Sequence, residues 1–218
     1  MRQTSICLLF LFSLSFMYLP AYSKDANGIS DDATKIVNDV FGDNSESIPK
    51  WLLDKAQAVL VIPDFNENDE QNQGIFSVRT SDDNWSLPSM ANVATTGSLS
   101  DDAKSIVILF MKGKGSDNLR KGNAIVSGNG IKPGPSGNVN ENDFNQPDND
   151  IVYVYSIKDK KATGAALQQA AVTSDNDANK ELYNKDTSVD QIINKQIDNP
   201  PDKAVQFQAT LNNQSSAK

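Results

Sequence analysis

The chain has no histidine, and Cys7 is its single cysteine in 218 residues. Without histidine there is no Ser-His-Asp triad, no Cys-His pair and no imidazole-bound zinc or iron. Carboxylate pairs could still act as acid and base. With 28 Asp and Glu in the chain, however, such pairs arise by accident, and no catalytic constellation stands out. The chain reads as a protein that is not an enzyme. Metal-binding patterns are also poor. Asp175, Asp177, Asn179 and Asp186 loosely follow a calcium loop, but Lys180 sits where the loop needs glycine and Asp186 where it needs glutamate. Asp64, Asn66 and Asn68 fit worse. Neither a metal nor a cofactor is expected.

Positive charge is scarce too. Twenty Lys and Arg face 28 Asp and Glu, a net charge of −8. A broad basic surface for nucleic acid is excluded on that balance, as is adhesion to anionic membranes by bulk charge. A local basic patch is not.

Long apolar runs are missing except at the N-terminus. There Arg2 precedes the run Ile6 to Leu19, and Ala21-Tyr22-Ser23 supplies small residues at a cleavage site. The run is shorter than the roughly 20 residues of a membrane-spanning helix. This is the layout of a secretory signal peptide over residues 1–23, which predicts a periplasmic or secreted protein. Its removal takes away Cys7 and Arg2. The remaining chain is then one unit more acidic and has neither thiol nor disulfide, so packing alone must hold it. About 195 residues are enough for one domain with a real core.

What the rest of the chain does have is short, distinct segments. Ser30 reads as an N-cap, with Ala33, Ile36, Val37, Val40 and Phe41 on one helical face and Gly42 ending it. A short helix starts at Ser47-Ile48-Pro49. Strands are predicted at Ala58–Ile62, Gly74–Thr80, Trp85–Val93, Ser105–Met111, Ala124–Ser127 and Ile151–Ile157, with a turn at Asp82-Asp83-Asn84. Gly128 to Asn149 reads as loop. Ala162–Ala171 has helical propensity, but a hairpin across Lys158–Lys161 would make it a strand. Short helices fit Asp177–Tyr183 and Ser188–Lys195. From Asp198 to Lys218 the chain is polar and reads as a disordered tail.

Several of these pieces form an ordered set. Gly74-Ile75-Phe76 precedes Trp85-Ser86-Leu87-Pro88. Asp101-Asp102 precedes Ile106-Val107-Ile108-Leu109. Gly134-Pro135-Ser136-Gly137, then Tyr155-Ser156, Gly164, and Asn179-Lys180-Glu181-Leu182-Tyr183 follow. In order and spacing the set, over about residues 48–195, resembles the SYLF domain, a lipid-binding family also known as an actin-binding module in fungi. The resemblance implies an exported, non-catalytic lipid-binding protein of the cell envelope that engages phospholipid headgroups or acyl chains. It also implies a SYLF-like domain over residues 24–197. Gly74, Trp85, Pro88, Gly134, Pro135, Gly137, Tyr155, Gly164, Asn179 and Tyr183 are its motif residues and read as structural. The chain departs from the pattern at Asn66–Gln73, where the family is glycine-rich, and at Lys161-Ala162-Thr163, where it has Gly-Leu-Phe. Those departures favour the alternative, an envelope protein-interaction or structural module that does not bind lipid.

The fold expected is a single α+β domain, an antiparallel β-sheet or partial barrel with short helices at its ends. Two groups are candidates for a phospholipid or membrane surface. Lys112, Lys114, Arg120 and Lys121 form the densest basic stretch, on glycine-rich backbone suited to a phosphate. Lys50, Trp51 and Lys55 could press an aromatic ring and two lysines onto a bilayer. Another envelope protein remains an alternative partner; nucleic acid does not.

Overall fold

In the computed structural model, residues 25–42, 45–97, 99, 103–137, 139, 141 and 150–215 are described. The signal peptide expected at residues 1–23 and the Asp101-Asp102 motif lie outside them. The elements are α1 (Ala26–Val40), β1 (Phe41–Gly42), β2 (Ile48–Pro49), α2 (Lys50–Lys55), β3 (Ala58–Ile62), β4 (Asn72–Val78), β5 (Ser89–Thr96), β6 (Ser105–Phe110), α3 (Lys114–Leu119), β7 (Asn123–Ser127), β8 (Ile131–Pro133), β9 (Val152–Lys158), β10 (Lys161–Gly164), β11 (Gln169–Ser174), α4 (Asn176–Tyr183), α5 (Val189–Ile193) and α6 (Asp202–Gln214).

Eight strands follow the order β10-β9-β6-β3-β4-β5-β11-β7, all antiparallel, and β8 runs parallel to β9 beside β10. β7 and β8 therefore sit at opposite ends of the order, yet only Gly128–Gly130 joins them. Laid flat, the sheet would hold its edges about 30 Å apart, and three residues reach at most about 15 Å. The sheet must roll into a nearly closed barrel. The short link from Gly164 to Gln169, between β10 and β11, makes the same demand. The fold is a single α+β domain with a barrel-like sheet and short helices.

Rolling creates two apolar layers, one inside the barrel and one outside. Ala58, Leu60 and Ile62, Phe76 and Val78, Ile106, Ile108 and Phe110, and Val152 and Val154 alternate inward and are joined by Leu119, Val189 and Ile193 from α3 and α5. Their neighbours Val59, Val61, Val107, Leu109, Tyr153 and Tyr155 face outward under α1, α2, α4 and α6. Burial on both faces explains why β3 and β6 are unbroken apolar runs rather than alternating ones.

The hairpin expected across Lys158–Lys161 forms. Lys158 pairs with Lys161, and Asp159 and Lys160 both take the left-handed backbone of a two-residue turn. The predicted strand over Ala162–Ala171 is two strands, however. The chain leaves β9 after Gly164 and re-enters the sheet as β11 between β5 and β7. Two further expectations are corrected. Asp25, not Ser30, caps α1, accepting from the Gly28 amide at 2.7 Å; Ser30 lies buried inside the helix and donates to the Lys203 carbonyl. Trp85 forms a bridge to Arg79 rather than opening a strand, and β5 starts at Ser89.

The segment expected to be a disordered tail is α6. Pro200 and Pro201 cannot continue a preceding helix but suit the start of one. Ala204, Phe207 and Leu211 then recur on one face and are fully buried, with Thr210 beside them. The helix lies along α1, where Lys203 Nζ meets Asp31 at 2.6 Å.

Candidate functional site

The basic group at Lys112 to Lys121 is built around a helix, not around the glycine-hinged loop its sequence suggests. Gly113 turns the chain out of β6 with φ +151°, and a Cβ there would lie 2.6 Å from the Asp150 amide nitrogen, so only glycine fits. Asp150 then accepts from the Lys114 amide, and Ser116 donates to the Gly113 carbonyl at 2.8 Å. Lys114 opens α3 and Arg120 closes it. A six-residue helix rises only about 9 Å, so Lys112, Lys114, Arg120 and Lys121 share one small region with Asp117 and Asp150. Lys112, Lys114 and Lys121 are exposed and Arg120 is half-buried.

Among the described residues these four are the unpaired cations that cluster, whereas Lys50, Lys104 and Lys185 are unpaired singly. Seven lysines elsewhere are held in ion pairs: Lys35 with Asp32, Lys55 with Glu141, Lys160 with Asp39, Lys161 with Glu46, Lys180 with Asp186, Lys195 with Asp82 and Lys203 with Asp31. Among the described residues, no carboxylate pairs with the side chain of Lys112, Lys114, Arg120 or Lys121.

The second candidate group is more constrained. Trp51 is half-buried against the outer core, and its indole N–H donates to the Val139 carbonyl at 3.1 Å. Lys55 Nζ stands 5.6 Å over the Trp51 ring and 2.5 Å from Glu141. Of the two lysines, only Lys50 makes no ion pair among the described residues. The ring is thus packed on its own fold and bonded to it rather than left free.

The motif residues make a set of close contacts that join distant segments. Asn179 on α4 is fully buried; its Oδ1 accepts from the Met90 amide at 2.8 Å, and its Nδ2 donates to the Ser89 and Ser174 hydroxyls. Tyr183, one turn on, donates to the Pro88 carbonyl at 2.6 Å. The two residues therefore clamp the start of β5. Burial pushes the Tyr183 and Tyr155 phenols well above their ordinary values. Tyr155 donates to the Pro135 carbonyl at 2.8 Å. A Cβ on Gly134 would lie 2.0 Å from the Tyr155 ring, and one on Gly164 would lie 2.3 Å from the Gly134 carbonyl oxygen. A Cβ on Gly74 would lie 2.9 Å from the Val61 carbonyl oxygen, and Gly137 turns with φ +86° beside Ser45.

Trp85 is fully buried beneath α6. Asn212 accepts from its amide at 3.0 Å, Gln208 donates to its carbonyl at 2.7 Å, and its indole N–H donates to Ser215 at 2.9 Å. The Arg79 guanidinium lies 4.1 Å over the ring. It donates to the Asp83 carbonyl at 2.7 Å and the Leu53 carbonyl at 3.1 Å. Burial pulls this guanidinium below its ordinary value, against the opposing fields of Asp54 and Asp83.

The residues of the calcium-like spacing have separate tasks. Asp175 caps α4 through the Ala178 amide, Asn179 points inward, and Asp186 pairs with Lys180 at 2.9 Å. Among the described residues no three acidic, His or Cys side chains gather as a metal site, and no helix is long and apolar enough to cross a membrane.

One feature escapes a reading by sequence neighbourhood. The turn after β4, the end of α3 and the end of α5 enclose a cleft of about 310 Å3, walled by Thr80, Ser81 and Asp82, by Arg120, and by Asn194 and Lys195. It brings Arg120 to residues 40 positions before it and 75 after it. Lys195 meets Asp82 at 2.9 Å across the mouth. The hydrogen bond from Lys195, with further bonds from Thr80 and Asn84, holds the Asp82 carboxyl well below the usual carboxylate range. Ile125 was also missed. Among the described residues it is the most exposed large apolar side chain, 71% accessible, on the outer face of β7. Strict alternation with the buried Ala124 and Val126 is the signal that places it outside.

A family model described as Ysc84, Las17-binding protein actin regulator, matches residues 100–214, more than half of the chain. No curated protein and no solved structure matches it. The matched stretch ends with α6 and contains Gly134, Pro135, Gly137, Tyr155, Gly164, Asn179 and Tyr183. Gly74, Trp85 and Pro88 lie before it; Pro88 is tied to it through Tyr183 of α4 and Trp85 through Gln208 and Asn212 of α6. The chain belongs to the Ysc84 family of SYLF domains, which are lipid- and actin-binding modules in general.

Proposed function

We propose that this protein is exported and acts without catalysis in the cell envelope, where the α3 region meets the headgroups of a phospholipid surface. The observation that carries the reading is the cluster of four cations without carboxylate partners among the described residues of an acidic protein, seven of whose other lysines are held in ion pairs. The contact is transient, because exposed charges hold a membrane only weakly. Each Lys or Arg near an anionic surface contributes on the order of 1 kcal/mol, so four amount to roughly 4 kcal/mol if additive. Salt weakens such a contact by screening. The Trp51 group is secondary, since its indole and Lys55 are already engaged.

Vesicle co-sedimentation tests this directly. The protein should bind phosphatidylglycerol vesicles more than phosphatidylcholine vesicles, and less at high salt. Replacing Lys112, Lys114, Arg120 and Lys121 with Gln should remove the preference. Unchanged binding would exclude α3. A wild type that binds no vesicle would leave the second reading, an envelope protein-interaction module. The bare sheet face with Ile125 at its centre favours that reading. Export is tested separately by the intact mass of protein from the exported fraction, which should lack Met1 to Ser23.

A further inference from the structure

The cleft between the β4–β5 turn, α3 and α5 is a more specific feature than the exposed lysines beside it. Three elements distant in sequence build it, and it faces Arg120 with the hydroxyl-bearing turn Thr80-Ser81. The Arg120 side chain makes no hydrogen bond or ion pair with another described residue. A guanidinium is a fork of five donors with no acceptor, and a half-buried one without partners is matched best by an oxyanion.

The charged pair of the cleft, Lys195 with Asp82, is a latch. Lys195 is held by Asp82, but the two side chains are 46% and 52% accessible, so Lys195 can turn from Asp82 to an incoming anion. Asp82 is the competitor at the mouth, since a carboxylate is ionised at neutral pH. Thr80 and Asn84 fix it in place. Bound oxygens would then meet Arg120 on one wall and Lys195 with Ser81 on the other. A planar carboxylate presents two oxygens in one direction; a phosphate presents three, in directions that reach both walls.

A second hollow, of about 410 Å3, shares Lys195 and continues past Leu87, Ile197 and Pro200. Each hollow is near the lower limit for a ligand site, so together they suit a headgroup rather than an acyl chain. From this arrangement we infer that the cleft binds a phosphate ester, with Arg120 and Lys195 on the phosphate and the organic part lying toward Leu87 and Ile197. The ester could be free or the headgroup of a lipid. The inference builds on the proposal that Arg120 faces phosphate, but it moves recognition from the exposed α3 surface into the cleft.

Isothermal titration calorimetry with glycerol 3-phosphate, and with glycerate as the carboxylate of similar size, tests it. Glycerol 3-phosphate should bind at least tenfold more tightly than glycerate. Arg120→Ala should weaken it tenfold or more. Asp82→Asn should tighten it several-fold by removing the competing anion, a gain that damage to the fold would not give. Lys112→Gln, Lys114→Gln and Lys121→Gln together should leave it within twofold while lowering vesicle binding, so the surface contact and the cleft fail or stand separately. Equal binding of glycerate, no effect of Arg120→Ala, or weaker binding by Asp82→Asn would overturn the inference. If Arg120→Ala also loses phosphatidylglycerol vesicles the headgroup enters the cleft; if it loses only the soluble ester, the ligand is free. Either result supports a phosphate-ester site.

Discussion

The two sides of the barrel share one interior but differ outside it. On β3, β6 and β9 the outward residues Val59, Val61, Val107, Leu109, Tyr153 and Tyr155 are buried under helices. On β11 and β7 the outward residues are Gln169 and Thr173, Asn123, Ile125 and Ser127, all exposed. The covered side holds the motif contacts of Asn179, Tyr183, Trp85 and Tyr155. The bare side borders the unpaired cations of α3. Stability and recognition are thus separated in space: the helices hold the barrel closed from one side and leave the other free of packing duties. That separation predicts that substitutions on the covered side unfold the protein, whereas those on the bare side change only what it binds.

The largest expected effect is at Phe207, fully buried where α6 meets the barrel. Phe207→Ala should cost about 3–5 kcal/mol, the range for deleting a buried aromatic, read by chemical denaturation. Were the C-terminal segment a dispensable tail, the change would stay within about 0.5 kcal/mol, and the covered side would lose one of its helices as a structural element. Next comes Asn179→Ala, which strands the buried Met90 amide. An unsatisfied buried group costs about 1–3 kcal/mol, so the denaturation midpoint should fall clearly, though less than for Phe207→Ala. A neutral result would mean that α4 rests on β5 by apolar contact alone.

Both predictions concern elements of unequal legibility. Most strands could be read directly, because β3 and β6 are apolar throughout and β9 is bounded by turn residues. Asn179 and Tyr183 were legible as a motif but not as a clamp, since their partners lie some 90 residues earlier. The C-terminal helix was hidden by its own composition. Gln208, Asn212 and Ser215 look like solvent-seeking residues, yet each bonds to Trp85, so polarity there reports a buried partner rather than water. Ala162–Ala171 misled in another way. A local hairpin fixes β10, but whether β11 stays beside it or crosses to β5 depends on barrel closure, which no local pattern encodes. At the site, the basic stretch was visible as a run of lysines. The cleft was not, because Asp82, Arg120 and Lys195 converge only through the ends of three elements.

The bare side is probed by smaller effects. Ile125→Ser should leave stability within about 0.5 kcal/mol, as expected for an exposed position away from packing. A loss above that, by the same denaturation assay, would show that the outer face of β7 is covered in solution and would erase the contrast between the two sides.

The smallest effect belongs to Asp82, at the border of the bare side. Its carboxyl is exposed, and the Lys195 hydrogen bond holds it below the ordinary value in the folded protein. A group whose folded pKa is depressed stabilises the fold at pH above its unfolded value, about 3.9. That contribution disappears as pH falls through the folded value, because the carboxyl is then protonated in both states. The difference in melting temperature between the protein and Asp82→Asn should therefore stay constant from pH 7 to about pH 5, then shrink below about pH 4. It should remain small throughout, since exposed ion pairs are screened by water and salt. A thermal melt series by circular dichroism reads this directly. A protein that melts below Asp82→Asn at neutral pH, with the gap closing toward acid, would mean that Asp82 is destabilising in its ionised form. The pair with Lys195 would then not be the latch that holds the cleft closed to anions.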